Sequence, residues 1–241
     1  MKAMVLAAGR GTRMGALSDR MPKPLVPVAG VSLLRRILTH LGSAGVTSTV
    51  VNVHHLADQI EDHLADDIAK GAVAVSDERG LLLETGGGVK KALPLLGEAP
   101  FFVINSDALW VDGEAAALDR LAEAFDLGIM DVLLLLVPTE EALGYDGKGD
   151  FIPEDGGDGP VPIVFRGAAD HAPVMFGGVQ IVKPEMYEDT PEGAWSNVEV
   201  FRKAADAGRL YGLVHTGHWM HVGTPEAIEE AEAKLASLGE S

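Results

Sequence analysis

The chain has 241 residues, 47% of them hydrophobic and 23% charged, and 36 acidic against 19 basic side chains leave a net charge of −17. That is the usage of a folded protein with one α/β domain or at most two small ones, and it excludes disorder of the whole chain. The acidity argues against a nucleic-acid binder, whose affinity comes from cations placed on phosphates, and the lack of cysteine excludes disulfides, thiolate nucleophiles and cysteine zinc sites.

From the N-terminus, Met4–Ala7 reads as a short buried strand that stops at Gly9, too soon for a signal peptide. A helix follows over Leu33–Leu41, a strand over Thr49–Val53, a helix over Leu56–Leu64 and a strand over Ala72–Val75. Gly88–Leu95 is helical, Phe101–Ile104 extended, Glu114–Phe125 helical and Val132–Val137 extended. This alternation predicts a parallel, doubly wound sheet. After Pro138 the pattern loosens. Gly144–Gly149 and Pro153–Pro162 read as surface loops, and Asp146 to Phe151 as a hairpin or a ligand loop. Val174–Val182 is a strand, Ser196 to Ala207 a helix stopped by Gly208, and Leu210–Val214 and Trp219–Val222 are the last strand-like pieces. Thr224 and Pro225 then fit the N-cap and first position of a final helix. No stretch approaches the roughly 18 apolar residues of a membrane span. The expectation is one domain over 1–241, without repeat or long linker, working in the cytoplasm with no nucleic-acid or membrane partner. Oligomeric state leaves no mark in the sequence.

Three segments carry chemistry. Leu6 to Met14 reads L-A-A-G-R-G-T-R-M and is followed by P-K-P-L from Pro22 to Leu25. Glycines at Gly9 and Gly11 let a backbone approach a polyphosphate, while Arg13 can fork onto phosphate oxygens and Lys23 adds a point charge. The loop has neither the third glycine of a dinucleotide fingerprint nor the G-K-[ST] end of a P-loop. Next, Phe101 to Asp107 places an acid at the carboxyl end of a buried strand, where open α/β sheets bind ligands and where Mg²⁺ takes one or two carboxylates with substrate phosphates. Third, Glu84-Thr85 precede three consecutive glycines opening a helix, a costly run that makes sense where a base or ribose lies against the main chain. His54 and His55 read as structural, Trp195 and Trp219 as packing, and Glu61, Asp62, Asp66 and Asp67 as a solvated face. No nucleophile-plus-base signature and no H-E-x-x-H is present.

With these motifs the chain resembles the sugar-1-phosphate nucleotidylyltransferases, which share the L-A-A-G-x-G-T-R-M loop, the P-K-P-L segment and the acid closing the fourth strand. E-T-G-G-G from Glu84, V-N-V-H-H-L from Val51, G-x-G-D-F from Gly147 and H-W-x-x-V-G-T from His218 are similar to the N-acetylmuramate α-1-phosphate uridylyltransferase branch. The resemblance implies a Rossmann-like, doubly wound mixed α/β sheet in three layers, of the GT-A-like nucleotide-diphospho-sugar transferase type. Its nucleotide-binding half would be about 1–140 and its sugar-binding half about 141–241. Because larger relatives append a β-helix after the catalytic domain, no second activity is expected after the last helix.

The same resemblance implies roles. Leu6, Ala8, Gly9, Gly11, Thr12, Arg13, Thr85 and Gly86 would bind the nucleotide, with Arg13 facing the departing pyrophosphate. Lys23 would bridge the α-phosphate and the sugar phosphate, and Asn105, Asp150 and Gly178 would lie near the sugar. Arg13, Lys23 and Asp107 form the catalytic set, and Asp107 would hold Mg²⁺. Much of the superfamily has W-x-D-x-G-T near its end, with the Asp as second metal ligand; here that position is His221. Either His221 ligates, favouring Mn²⁺, Zn²⁺ or Co²⁺ over Mg²⁺, or the metal rests on Asp107, phosphates and water. Recognition of a lactyl carboxylate needs a cation or a backbone donor, for which Lys148, Arg166 and Lys183 are candidates. Three readings follow: an enzyme joining UTP to N-acetylmuramate α-1-phosphate; a guanylyl- or thymidylyltransferase for mannose-, heptose- or glucose-1-phosphate; or a silent sugar-nucleotide sensor.

Overall fold

The computed structural model describes residues 1–240 except 155, 156 and 158, which fall within the segment read as the Pro153–Pro162 loop. The first buried run is β1 (Ala3–Leu6), and the chain leaves it through two short 3-10 helices, Thr12–Leu17 and Lys23–Leu25. A small hairpin of β2 (Pro27–Val28) and β3 (Val31–Ser32) leads into α1 (Leu33–Ser43). Ser32 caps that helix, its Oγ accepting the Arg35 N–H. Then come β4 (Thr49–Val53), α2 (Ala57–His63), α3 (Ala65–Ala69), β5 (Val73–Asp77) and α4 (Glu84–Leu96). They are followed by β6 (Phe101–Asn105), β7 (Ala108–Val111), α5 (Ala117–Ala124) and β8 (Val132–Pro138). The last hundred residues add β9 (Phe151–Pro153), β10 (Val161–Phe165), β11 (Val174–Val182), α6 (Val198–Asp206), β12 (Leu210–Val214), β13 (His218–His221) and α7 (Pro225–Leu238). Thr224 caps α7 through the Ala227 N–H.

Nine strands form one mixed sheet in the order β5-β4-β1-β6-β11-β8-β12-β10-β9. Residues alternate between its faces. Val5, Val51 and Ile104 meet α1, α2 and α5 on one side, while Met4, Val50 and Val103 meet α4 and α6 on the other. The three layers bury the strands on both faces, which is why they read as continuous apolar runs. A third, smaller apolar cluster joins Leu109, Met220 and Leu235 between β7, β13 and α7. No helix among the described residues is long and apolar enough to cross a membrane.

The sheet is mixed, as the resemblance implied, because β10 and β11 run against its other strands. β11 is inserted between β6 and β8 and runs antiparallel to both, so the two parts of the chain share one sheet. Its register shifts between Phe176 and Gln180, and beyond that bulge Val174 pairs with Phe151 of β9. The pairings β11-β8-β12-β10-β9-β11 therefore close on themselves at this end. β7, not anticipated as a separate strand, pairs with β13 in a two-stranded ribbon outside the main sheet.

α4 also begins earlier than its apolar spacing suggests, at Glu84, with the three glycines inside its first turns. A Cβ at Gly86 would run into the Trp195 ring, at Gly87 into the Gly193 carbonyl, and at Gly88 to 2.8 Å from Glu78 Oε1. The glycines are thus explained by protein packing, which overrides their poor helix propensity. The acids of α2 and α3 are less free than a solvated face implies: Glu61 pairs with Arg79 at 2.7 Å and Asp67 with Arg35 at 2.9 Å.

Candidate active site

A cleft of about 480 Å³ opens at the carboxyl ends of β1 and β6. Gly9, Arg13, Lys23, Thr85, Asn105 and Asp107 all face it, joined by Leu6, Ala8, Gly11 and Thr12. Its wall after β1 is a turn held at both ends. The Ala7 N–H donates to Asn52 Oδ1 at 2.7 Å, and buried Met14 donates its N–H to the Gly11 carbonyl at 2.8 Å. Between these pins the N–H groups of Ala8, Gly9, Arg10 and Gly11 find no acceptor among the described residues. Gly11 has a φ of +61°, which only glycine adopts cheaply, and a Cβ there would press on Lys23. Bare N–H groups around such a turn form an anion-binding concavity. Arg13 is exposed beside them and has no ion-pair or hydrogen-bond partner among the described residues.

Lys23 is buried between Pro22 and Pro24, and its Nζ donates to Asp107 Oδ2 at 2.8 Å. His221 Nε2 stands 3.4 Å from the same oxygen. The β7–β13 ribbon makes this meeting possible, because it sets His221 opposite Ala108, one residue past the acid. Burial alone would raise the Asp107 pKa, but the hydrogen bond from His221 and the charge and hydrogen bond of Lys23 outweigh it. The carboxyl is held far below the usual carboxylate range and stays ionised.

A cluster of three metal-ligating side chains does not occur among the described residues. Asp107 would fit a divalent ion that completes its shell with phosphate oxygens and water, and His221 would join it only by giving up its hydrogen bond to Asp107 Oδ2. One ionised carboxylate suffices for Mg²⁺ under those conditions, and the imidazole nitrogen widens the choice toward Mn²⁺.

Behind the cleft lies a brace that the motifs did not reveal. Asn52, buried in β4, donates to Glu78 Oε1 at 2.8 Å while accepting from Ala7, and the other Glu78 oxygen accepts the Leu83 N–H. Glu78 is 1% exposed, so this pair ties the turn after β1 to the start of α4 in a dry setting. A polar Asn between Val51 and Val53 was the available signal. His54 and His55 serve the same frame, bonding the main-chain carbonyls of Glu78 and Ser18, each at 2.7 Å. Thr85 faces the cleft and accepts the Asn197 N–H at 2.8 Å. Gly86 stands one step behind, its N–H taken by the Trp195 carbonyl at 2.9 Å and its open side filled by the Trp195 ring. Trp219 packs in the core and donates its indole N–H to the Gly177 carbonyl.

Gly178 and Asp150 lie outside the first cleft. Gly178, with φ +78°, backs onto Asn105: a Cβ there would come to 3.3 Å from the Asn105 Cβ. Asp150 faces a second cavity of about 430 Å³ and accepts the Phe176 N–H at 2.9 Å. Of the cations considered for an acidic sugar, Lys183 is removed from both cavities, paired with Asp131 at 2.9 Å and bonded to the Leu127 carbonyl. Lys148 is exposed and lines neither cavity. Arg166 lines the second, but its guanidinium bonds the Gly149 and Ala169 carbonyls.

Comparison with known proteins places this geometry among nucleotidyltransferases. Residues 3–169 match the family model of the MobA-like NTP transferase domain. The chain is 47% identical over 238 residues to an N-acetylmuramate alpha-1-phosphate uridylyltransferase of Caulobacter vibrioides, covering 97% of this chain and 96% of that protein. It is 38% identical over 244 residues to the protein of the same name from Neisseria meningitidis, covering 97% of each. Among solved structures, a UDP-glucose pyrophosphorylase from Acinetobacter baumanii superposes with a TM-score of 0.80 at 19% identity, over 97% of this chain and 92% of that one. HddC from Yersinia pseudotuberculosis, complexed with GMP-PN, gives 0.73 at 24% identity, over 97% and 99%. At those identities the two structures speak for the fold alone.

Proposed function

The chain belongs to the MobA-like NTP transferases, and within them to the N-acetylmuramate α-1-phosphate uridylyltransferases; from that premise we propose that it joins UTP and N-acetylmuramate α-1-phosphate to give UDP-N-acetylmuramate and pyrophosphate. The observation that supports this reading best is the joining of two features in one cleft: the turn of free N–H groups, and the Lys23–Asp107 pair that faces it, with His221 touching Asp107 without lining the cleft itself.

The chemistry needs little covalent help. An oxygen of the sugar phosphate attacks the α-phosphorus in line, the bond from that phosphorus to the bridging α–β oxygen breaks, and pyrophosphate leaves with the electron pair. The nucleophile is a phosphate oxygen already ionised near neutral pH, so no general base is required. The task is positioning and charge neutralisation. The turn from Ala8 to Thr12 cradles the triphosphate, and Arg13 neutralises the departing pyrophosphate. Lys23 sits between the α-phosphate and the sugar phosphate, its direction fixed by the bond to Asp107. Ala8, Thr85 and the backbone near Gly86 border the base, while Asn105, Gly178 and Asp150 define the path of the sugar. A divalent ion, Mg²⁺ or Mn²⁺, would rest on Asp107 and His221 and supply charge neutralisation on the phosphates. The nucleotide is thus handled mainly by residues up to about 140 and the sugar mainly by those after it. Small phosphorylated substrates make the cytoplasm the expected compartment.

Pyrophosphate release tests the proposal, with N-acetylmuramate α-1-phosphate and Mg²⁺ or Mn²⁺ against UTP, GTP, dTTP, CTP and ATP in parallel. Release with UTP well above the others is the expected result. Release with GTP in its place would keep the reaction class and discard this substrate pair. Binding of nucleotide without release in any combination would leave a sensor.

A further inference from the structure

The second cavity is the feature that the reaction, as described so far, uses least. Its floor is aromatic. Phe151 packs against Phe165 with ring centroids 4.8 Å apart, and Phe176 meets Phe201 edge to face at 5.3 Å. It adjoins the nucleotide cleft along two lines of chain. Ser196 faces the first cavity and Val198 the second, at the start of α6. On the other side, Asn105 of the first is backed by Gly178, two residues beyond Phe176 of the second. A sugar whose phosphate lies at Lys23 and Asn105 therefore extends its far side toward the phenylalanines.

Charge at the cavity is asymmetric. Asp150 spends one carboxylate oxygen on the Phe176 N–H and can take sugar hydroxyls with the other. Arg166 is committed to two backbone carbonyls and holds the loop around Gly149. Arg202 is different. Its side chain is 62% exposed and its guanidinium stands 5.5 Å over the Phe165 ring. Its one ionic neighbour among the described residues is the equally exposed Glu199, on the same helix at 3.6 Å. An exposed pair at that separation is worth little and is easily exchanged. The ring meanwhile offers the guanidinium a cation–π contact at the cavity rim that uses none of its N–H groups. A guanidinium held by one weak, exchangeable partner beside an apolar floor suits a carboxylate carried on a short apolar arm.

We infer that Arg202 is the residue that reads an acidic substituent on the sugar, the ether-linked carboxylate that distinguishes N-acetylmuramate from N-acetylglucosamine. This rests on the reaction proposed above. Asp150 takes the hydroxyls, the phenylalanines take the methyl groups, and Arg202 takes the acid in place of Glu199.

Calorimetric titration of the full-length protein with UDP-N-acetylmuramate and with UDP-N-acetylglucosamine tests this without requiring turnover. Losing one charge-assisted, forked hydrogen-bond pair is worth roughly ten- to hundredfold in affinity. Arg202→Gln should weaken the first ligand by that factor and leave the second unchanged, and Arg202→Lys should recover part of the loss. Equal weakening of both ligands, or of neither, overturns the inference. If the wild-type protein itself binds the two alike, the substrate reading fails first and Arg202 falls with it.

Discussion

The two cavities are neighbours, yet they are built on opposite plans. The nucleotide cleft is made of backbone and fixed charge: a turn of free N–H groups, a lysine clamped between prolines, and a carboxylate held ionised by two partners. The second cavity is made of side chains, rings at the curled end of the sheet with one guanidinium left over. Triphosphate is common to every enzyme of this chemistry, and a backbone cradle tolerates sequence change around it. A sugar must be distinguished from close analogues, and side chains from separate segments can be exchanged one at a time to do so. On the function proposed, the first region would set the reaction and the second its substrate.

The largest effect that could break this division is at Lys23. Replacing it by Met removes the point charge proposed to act between the two phosphates while keeping the apolar stem in its slot. The expected loss is about 10²–10³ in kcat/KM, the scale seen when one oriented electrostatic group is taken from a transition state. The loss should be the same for any sugar phosphate that turns over at all, in contrast to the sugar-selective loss at Arg202. Steady-state kinetics with two sugar phosphates decides it. A Lys23→Met enzyme that discriminated between the sugars more than the wild type would show that the reaction centre and the specificity cavity are not separable.

A second comparison uses two glycines. A Cβ on Gly9, in the phosphate turn, would meet nothing within 4 Å, whereas one on Gly87 would run into the Gly193 carbonyl. Gly87→Ala should destabilise the fold by about 1–3 kcal/mol, since backbone rather than a mobile side chain stands in the way. That exceeds the gain in helix propensity of about 1 kcal/mol. Gly9→Ala should leave thermal stability unchanged and raise KM for UTP, if the open space there is the proposed seat of the triphosphate. Melting curves with and without UTP separate the two. Equal stability losses would mean that the phosphate turn is a packing element like the rest.

The same contrast explains how much could be read from the sequence. Arg13, Gly9, Gly11 and Lys23 lie within one short segment after a buried strand, so their meeting in a cleft needs only the turn that the glycines permit. Asp107 was legible as an acid just past the carboxyl end of a buried apolar strand, and the pairing of β1 with β6 brings that end beside the turn. Arg202 was not. It follows buried Phe201 on an amphipathic helix and has the spacing of any solvated cation; only the closure of β9, β10 and β11 beneath it turns that position into a cavity rim. The insertion of β11 between β6 and β8 was hidden for a related reason, since an apolar run announces burial but not its neighbours in the sheet. The glycines of α4 were visible as an anomaly and open to two explanations. Burial against Trp195 and Gly193 became evident only once residues about a hundred positions apart were brought together.

His221 lines neither cavity and carries the smallest effect. It belongs to β13, late in the chain, yet shares Asp107 Oδ2 with Lys23. If it is a nitrogen donor to the metal, the site should favour Mn²⁺ over Mg²⁺ more than a site with two carboxylates does, since imidazole suits the softer ion and hard Mg²⁺ prefers oxygen. His221→Asp should then lower the ratio of Mn²⁺ to Mg²⁺ affinity severalfold while adding a negative charge that strengthens binding of both. Mn²⁺ paramagnetic resonance, with Mg²⁺ as competitor and a non-hydrolysable UTP analogue present, reads that ratio directly, apart from turnover. An unchanged ratio would confine His221 to its other visible task, the hydrogen bond that keeps Asp107 ionised and aimed. In that event His221→Gln, which can still donate one hydrogen bond, should retain most of the activity. A histidine that ligates cannot be replaced so cheaply, because an amide is a poor donor to the metal.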